Sequence, residues 1–177
     1  MIRLRKLKEK DAPFMLEWMH DSEIQECFQR DMKGMTLEKA EEFCRIAGQI
    51  GRIKEGESLH YAIIDDSEDE YLGTISLKNI SLLNESAEYA VSTRKCAHGK
   101  GITAEATRLI LKKGFEELQL HRIYLNVLSD NTRAIKFYEK AGFRYEGEFL
   151  EGLNVRGNRK SLRWYGMLKK EYMDIYS

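Results

Sequence analysis

The first residues that could do chemistry form a glycine-rich turn, Cys-Ala-His-Gly-Lys-Gly-Ile-Thr-Ala-Glu-Ala, over residues 96–106. Gly99 and Gly101 allow the backbone to approach a ligand closely and leave several N–H groups free to point at it. A helix that follows the turn would add about half a positive charge at its N-terminus, and Lys95 and Lys100 would add more. This combination favours a phosphate or pyrophosphate, although glycines also close tight strand-to-helix turns that bind nothing.

Two known phosphate-binding motifs can be compared with this turn. A Walker A loop ending at Lys100 needs glycine at position 94 and Ser or Thr at position 101, and the chain has Arg94 and Gly101 there. The dinucleotide fingerprint G-x-G-x-x-A is matched over residues 99–104, with Asp130 at the end of the next expected strand. That fingerprint normally opens its domain, however, and too little chain follows Asp130 to complete a doubly wound sheet.

Hydrophobic periodicity predicts strands and helices around this turn. Strands are expected near the start, at 61–64, 71–77, 87–92 and 122–127, and in two closing segments over 143–149 and 162–168. Helices are expected at 11–24, after Thr36, from Ile102 to about Leu118, and from Asp130 or Asn131 to Gly142. The order β-α-α-β-β-β-α-β-α-β-β, with hairpins and without repeats, predicts one α/β (α+β) domain over residues 1–177. Its sheet is expected to be mixed, mostly antiparallel and flanked by helices.

Composition argues against several other classes of protein. The 177 residues carry 29 Lys and Arg against 29 Asp and Glu, and this zero net charge disfavours nucleic-acid binding, which needs a basic face. No apolar run approaches the ~20 residues that span a bilayer, and the alternating, charged start is not typical of a signal peptide. Cys27, Cys44 and Cys96 are far apart and lack C-x-x-C spacing, so we expect reduced thiols, a cytoplasmic location and no metal site.

The glycine-rich turn and a second segment together resemble the GNAT superfamily of N-acetyltransferases. Residues 98–103 occupy the position of that family's acetyl-CoA pyrophosphate loop, written [RQ]-x-x-G-x-[GA], with His98 in place of Arg or Gln and Thr103 in place of Gly or Ala. Residues 131–143 are similar to its N-x-x-A-I-x-x-Y-x-K-x-G-F segment. The Gly-Lys-Gly loop with Glu105-Ala106, and the early Trp18-Met19, resemble the ribosomal-protein N-terminal acetyltransferase branch, which also contains polyamine and amino-sugar relatives.

The resemblance implies a splayed pair of strands, 87–92 and 122–127, that holds acetyl-CoA as cosubstrate. On this basis the main chain of Tyr89, Ala90 and Val91 is expected to bind pantetheine and to steady the developing oxyanion. The backbone N–H groups expected to bind the pyrophosphate belong to His98, Gly99, Lys100, Gly101, Ile102 and Thr103. Asn131 is expected either to reach the cofactor or to cap its helix.

Two catalytic residues are expected within the implied site. Tyr138 is the candidate acid: a thiol has a pKa of about 8.5 and a phenol about 10, so a nearby phenol can donate to the departing sulfur. An alkylammonium with a pKa near 10.4 must lose a proton before it attacks, and Glu88 is the candidate base, acting through water. Alternatively Tyr138 packs in the core and Glu88 is an ordinary exposed strand residue.

The sequence therefore predicts an enzyme that acetylates a primary amine directly in a ternary complex. A protein N-terminus is the leading acceptor, and a polyamine, a nucleotide amino sugar and a non-catalytic CoA-binding module are the alternatives. Cys96 lacks an adjacent base, so a covalent route ranks below direct transfer. Expected walls of the acceptor pocket are Trp18, His20, Phe28 and Tyr165, although Trp18 and Phe28 suit the core equally well. Members of the family are often dimers, so the resemblance also allows a homodimer, with the tail over 168–176 contributing to the contact.

Overall fold

The computed structural model describes residues 1–176, which are organised around one seven-stranded sheet. The strands are β1 (Ile2–Lys6), β2 (Leu59–Asp65), β3 (Glu70–Ser81), β4 (Ser86–Thr93), β5 (Arg122–Leu128), β6 (Arg144–Val155) and β7 (Asn158–Leu168). Their order across the sheet is β1-β2-β3-β4-β5-β7-β6, and β4 and β5 form its parallel pair while the other neighbours are antiparallel. The mixed, mostly antiparallel sheet predicted from the sequence is confirmed.

Residues 1–176 form six α-helices beside the sheet. They are α1 (Ala12–His20), α2 (Ser22–Gln25), α3 (Leu37–Gln49), α4 (Ile102–Lys112), α5 (Thr132–Lys140) and α6 (Lys169–Tyr176), and α4 continues into a π-helical turn over Lys113–Glu117. In the described part of the chain, every helix falls short of the length and apolar character that a bilayer crossing demands.

Two hydrophobic cores lie on opposite faces of the sheet. Alternation along a strand sends neighbouring side chains to opposite faces. Ile63 therefore belongs to the core that includes residues of α4, α5 and α6, while Ala62 and Ile64 belong to the core that includes residues of α1 and α3. The first core also takes Ile123 and other apolar residues of β5. The other face of β5 carries the polar and aromatic side chains of Arg122, Tyr124 and Asn126, and ends at the buried Leu128.

The structure differs from the predicted elements at two places. The single helix expected over 11–24 is divided at Asp21, whose backbone is extended and whose carboxylate accepts the N–H groups of Glu23 (3.0 Å) and Ile24 (3.1 Å) to start α2. The tail after Leu168 is the helix α6, which the sequence reading did not include. Tyr172 anchors α6 by stacking on Phe115, with ring centroids 4.9 Å apart.

The parallel strands β4 and β5 separate after three residue pairs. Ser86 pairs with Arg122, Ala87 with Ile123 and Glu88 with Tyr124, and the ladder ends there. Beyond this point, β4 continues to pair with β3 up to Thr93, and β5 continues to pair with β7 up to Leu128. Within the described residues, the edge of β4 that faces β5 therefore has no strand partner after Glu88, and a V-shaped opening results.

Candidate active site

The glycine-rich turn leaves a row of backbone N–H groups at the start of α4. Gly99 and Gly101 both have a φ of +73°, and a Cβ at either would meet no atom within 4 Å, so the backbone conformation rather than packing requires glycine. The Glu105 N–H bonds the Gly101 carbonyl at 3.1 Å, and among residues 1–176 no side chain caps this helix. The N–H groups of the first turn are therefore available to an anion.

Ion pairs fasten this turn to the first helices. Lys95 Nζ lies 2.9 Å from Asp21 Oδ2 and 3.0 Å from Glu23 Oε2, and Arg94 Nε lies 2.7 Å from Glu17 Oε2. Lys95 is thus held by two carboxylates on the α1–α2 side of the turn. The expectation that it adds charge for a phosphate is not supported by this position.

His98 carries little charge at neutral pH. Burial lowers the pKa of its imidazole, and the positive charge of Arg133 lowers it further, while a hydrogen bond with the Thr93 backbone opposes both effects. Arg133 lies at the start of α5 and is exposed, as is Lys100 on the turn itself. Arg133 is a cation of the site that the sequence reading missed, because its proximity to His98 arises from tertiary structure.

Tyr89 connects the opening to the helix that follows the glycine-rich turn. Its ring is buried, and its hydroxyl lies 2.8 Å from Thr107 Oγ1. Thr107 Oγ1 donates its one proton to the Thr103 carbonyl at 2.7 Å, so the Tyr89 hydroxyl is the donor to Thr107. Burial raises the pKa of Tyr89 well above its ordinary value. β4 and the first turns of α4 are consequently held together at the base of the opening.

Tyr138 lies against Tyr89 on the α5 side of the opening. The two rings meet edge to face with centroids 5.9 Å apart, and Phe143 completes the aromatic group at 6.2 Å from Tyr138. Burial raises the pKa of Tyr138 to about 12. The phenol therefore keeps its proton throughout the neutral range and is chemically able to donate it.

Glu88 projects from the other face of β4. Its side chain is 16% exposed, and its carboxylate lies 3.1 Å from Lys78 Nζ and 3.1 Å from Asn79 Nδ2. Asn126 Nδ2 approaches Oε1, the same carboxylate oxygen that Lys78 contacts, at 3.5 Å. Tyr138 and Glu88 therefore flank the opening from opposite sides of the sheet, as the alternation of Glu88 and Tyr89 predicts. Lys78 and Asn79, which hold the carboxylate, were not identified from the sequence.

Three of the residues expected to line the acceptor pocket pack in the interior, while His20 is exposed and its Nε2 lies 2.8 Å from the Met35 carbonyl oxygen. Trp18 is 6% exposed and donates its indole N–H to the Tyr71 hydroxyl at 3.0 Å, inside the core under α1. Phe28 packs edge-on against Trp18 at 5.5 Å. Tyr165 is fully buried on the α5 side, where its hydroxyl bonds Glu139 at 3.1 Å. Trp18 and Tyr165 are core residues, because the periodicities of α1 and β7 direct them inward. Phe28 follows α2 outside any helix or strand, and it is partly buried against the same core as Trp18.

Two aromatic residues instead share the face of Glu88. Tyr124 is the cross-strand partner of Glu88, and Trp164 is that of Asn126. The two rings lie 6.2 Å apart. The indole N–H of Trp164 is buried, and it lacks a hydrogen-bond partner within residues 1–176. The odd-numbered residues of β5 were correctly expected to face the core, and this alternation already places Tyr124 on the opposite face. Trp164 joins Tyr124 through the pairing of β7 with β5, which the sequence does not show.

Asn131 begins α5, and its side-chain oxygen accepts the Ala134 N–H at 3.2 Å. The capping role is therefore confirmed, and the amide N–H₂ group is not used by the cap. Asp130, the other candidate for the cap, pairs with Lys160 at 2.5 Å. In the described residues no three His, Cys, Asp or Glu side chains converge in a way that could hold a metal ion.

The backbone at the opening and the turn fits an extended ligand that ends in a pyrophosphate. The free strand edge after Glu88 can pair with amide groups, and the first-turn N–H groups of α4 can bind phosphate oxygens. Positive φ at Gly99 and Gly101 gives the ligand close access to these N–H groups. The groups present therefore match the chemistry of a coenzyme A thioester.

Comparisons with known proteins agree with this chemistry. The model of the acetyltransferase (GNAT) domain matches residues 2–144. The probable N-acetyltransferase YjcK of Bacillus subtilis is 33% identical over 130 residues, covering 69% of this chain and 72% of YjcK. The putative ribosomal N-acetyltransferase YdaF of the same organism is 36% identical over 100 residues, covering 56% of this chain and 55% of YdaF.

A solved structure has the same fold over almost the whole chain. The crystal structure of spermidine N-acetyltransferase from Vibrio cholerae, in complex with CoA and spermine, has a TM-score of 0.84 and 23% identity, covering 97% of this chain and 98% of that chain. The chain belongs to the GNAT family of acetyltransferases. It is an acyltransferase with acetyl-CoA as cosubstrate, as the sequence predicted.

Proposed function

We propose that the protein transfers an acetyl group from acetyl-CoA directly to a primary amine, and that residues 1–177 act as one catalytic domain. The observation that carries the proposal is the separation of β4 and β5 directly after Glu88. Tyr89, the next residue, contacts α4 through Thr107 and contacts Tyr138 on α5. The phosphate-binding turn, the strand opening and the candidate acid are thereby connected through one side chain.

Acetyl-CoA supplies the acetyl group as an activated thioester. The backbone N–H groups of Gly99, Lys100, Gly101, Ile102 and Thr103, with that of His98, bind the pyrophosphate, and the exposed Arg133 adds charge. The main chain of Tyr89, Ala90 and Val91 hydrogen-bonds the pantetheine arm along the free edge of β4 and donates to the thioester oxygen. The amide N–H₂ group of Asn131 faces the same ligand.

Two side chains move the protons. Glu88 accepts a proton from the acceptor amine through a water molecule, since an alkylammonium has no lone pair with which to attack. Tyr138 Oη donates its proton to the departing sulfur. The desolvation that raises the pKa of Tyr138 to about 12 also disfavours a buried thiolate, so the sulfur gains basicity in the same surroundings.

The acceptor face favours a small aliphatic amine that carries positive charge. Glu88 provides a carboxylate, and Tyr124 and Trp164 provide ring faces beside it, which together suit an alkylammonium. A polyamine is therefore the first acceptor class to test, and the enzyme from Vibrio cholerae named above is a spermidine N-acetyltransferase. A protein N-terminus is the second class, and the name of YdaF supports it.

A panel of amines tests the proposal. Spermidine, spermine, short peptides with free N-termini and a nucleotide amino sugar are each mixed with protein and acetyl-CoA, while thiol release and product mass are followed. We expect amine-dependent thiol release, with one acetyl group added per thiol. Calorimetric binding of acetyl-CoA without release for any amine would instead support the CoA-binding module. Absence of both binding and release would contradict the whole proposal.

A further inference from the structure

Asn126 occupies a position on the opening that no role assigned above explains. It follows Tyr124 by two residues on β5, so both side chains lie on the face of Glu88. Tyr124 still has a cross-strand partner on β4, whereas Asn126 lies just beyond the end of that ladder. The Asn126 side chain consequently sits where the two strands begin to separate, on the side from which an amine would approach.

The hydrogen bonds around Asn126 fix the orientation of its amide. The carboxylate of Glu88 can only accept hydrogen bonds, so the Asn126 group that approaches it at 3.5 Å must be the N–H₂. The Asn126 oxygen then faces the opposite way, and it accepts a hydrogen bond from the side-chain N–H₂ of Gln29. The amide oxygen of Asn126 is therefore an acceptor on the side of the amide away from Glu88, with Gln29 as its donor.

The hydrogen bond from Gln29 to Asn126 is one that a ligand can displace at little cost in free energy. Gln29 is exposed, and it lies in the segment between α2 and α3 rather than within a helix or strand. Because water competes for an exposed hydrogen bond, such a bond contributes little net free energy. A ligand N–H group arriving at the same oxygen would restore the bond that Gln29 gives up. The Gln29 side chain thus occupies the place that an amine donor would take.

The reaction requires that the amine be held in place and that it lose a proton. A neutral amide oxygen next to a carboxylate assigns these two tasks to different groups. The oxygen can accept one N–H of the amine without removing its proton, because an amide is not a base near neutral pH. The Glu88 carboxylate lies on the other side of the same amide group. Lys78, Asn79 and Asn126 together supply three donors to its two oxygens, which leaves a lone pair to receive a proton through water. An amine held in this way keeps a fixed direction while it is deprotonated.

We propose that the Asn126 side-chain oxygen binds the acceptor amine, and that Gln29 occupies this oxygen until the acceptor displaces it. The inference rests on the proposed function, because it assigns a residue to that function's acceptor. A purely structural role offers the contrasting explanation: the Gln29–Asn126 bond would hold the segment between α2 and α3 against the sheet. The two explanations differ in the sign of one measurable effect.

The experiment compares Asn126→Ala and Gln29→Ala with wild type, by thiol release with the best amine of the panel. We expect Asn126→Ala to raise the KM for the amine about tenfold while the KM for acetyl-CoA stays unchanged. Gln29→Ala removes the competing donor, so it should lower the amine KM about threefold. Gln49→Ala, the same change at another exposed glutamine, should have no effect.

If the Gln29–Asn126 bond has a purely structural role, both variants should raise the amine KM, or neither should change it. Either result overturns the inference. Gln29 is exposed, so Gln29→Ala will fold even if Asn126→Ala does not, and the direction of its KM change is decisive alone. Wild-type protein that releases no thiol with any amine would refute the proposed function itself and the inference with it. If wild type turns over but the two variants give the KM changes expected of a purely structural bond, only the role of Asn126 is refuted.

Discussion

The hydroxyl of Tyr89 donates to Thr107 Oγ1 at 2.8 Å, and this bond joins the splayed strand to the helix behind the glycine-rich turn. Thr107→Val keeps the shape of the side chain but leaves a buried phenol unpaired. We expect the free energy of unfolding to fall by about 1–3 kcal/mol, measured by denaturant titration. Adding Tyr89→Phe removes the unpaired group, so the double variant should recover part of the loss. A double variant less stable than Thr107→Val would contradict this account of the bond.

Gly101 determines how the N–H groups of the turn are presented. Its φ of +73° strains any other residue, while the space around it is open, so Gly101→Ala alters the backbone without a clash. We expect acetyl-CoA binding, measured by calorimetry, to weaken about tenfold. Gly34→Ala is the control, because Gly34 lacks a positive φ and also has open surroundings. Equal effects of the two substitutions would argue against a phosphate site at this turn.

Glu88→Gln tests the candidate base through the pH dependence of the rate. Without a base, the reaction depends on amine that is already deprotonated, and this fraction rises about tenfold per pH unit below a pKa near 10.4. We expect kcat/KM to fall about 100-fold at pH 7 and the deficit to shrink as the pH rises. Glu38→Gln, at an exposed carboxylate on α3, should follow the wild-type profile. A deficit that is constant across pH would indicate a structural role for Glu88.

His60 is expected to make stability dependent on pH between about 4 and 6.5. Burial lowers the pKa of its imidazole to about 4, from an ordinary 6.5, and its ring lies 2.7 Å from the Ser76 hydroxyl. In this range the unfolded chain binds a proton that the folded protein does not, so stability falls as the pH falls, by up to about 3 kcal/mol. Unfolding titrations of His60→Gln should show a flatter dependence, while the exposed His121→Gln should match wild type. Parallel curves for all three proteins would contradict the assignment.

The sheet was predictable because local sequence patterns, alternation of apolar residues and polar turns, mark its strands. Alternation in β5 placed Ile123 in the core, and the polar turn after Asp65 marked a hairpin. The helix α6 was missed because it follows β7 without any turn residue between them. Tyr172 stacks on Phe115 and on Tyr176 to hold that helix, and the contact with Phe115 exists only after folding.

The candidate site was predictable where a sequence motif sets the backbone conformation. It was less predictable where the arrangement depends on which side chains share one face of the sheet. The turn around Gly101 and the position of Tyr138 both follow from local sequence. Which aromatic residues share the face of Glu88 depends on register between strands distant in sequence, which pairs Glu88 with Tyr124. Trp18 was expected at the acceptor pocket because the resemblance placed the pocket nearby, whereas helical periodicity already directed it to the core.

The substitution Tyr138→Phe tests the central claim that this phenol serves the same bound acetyl-CoA as the glycine-rich turn. Thiol release with a saturating amine and calorimetric binding of acetyl-CoA are measured on the same preparations of variant and wild type. We predict that kcat falls about 100-fold while the Kd for acetyl-CoA is unchanged, since only a proton donor is lost. An unaltered kcat, at equal affinity for acetyl-CoA, would contradict the account.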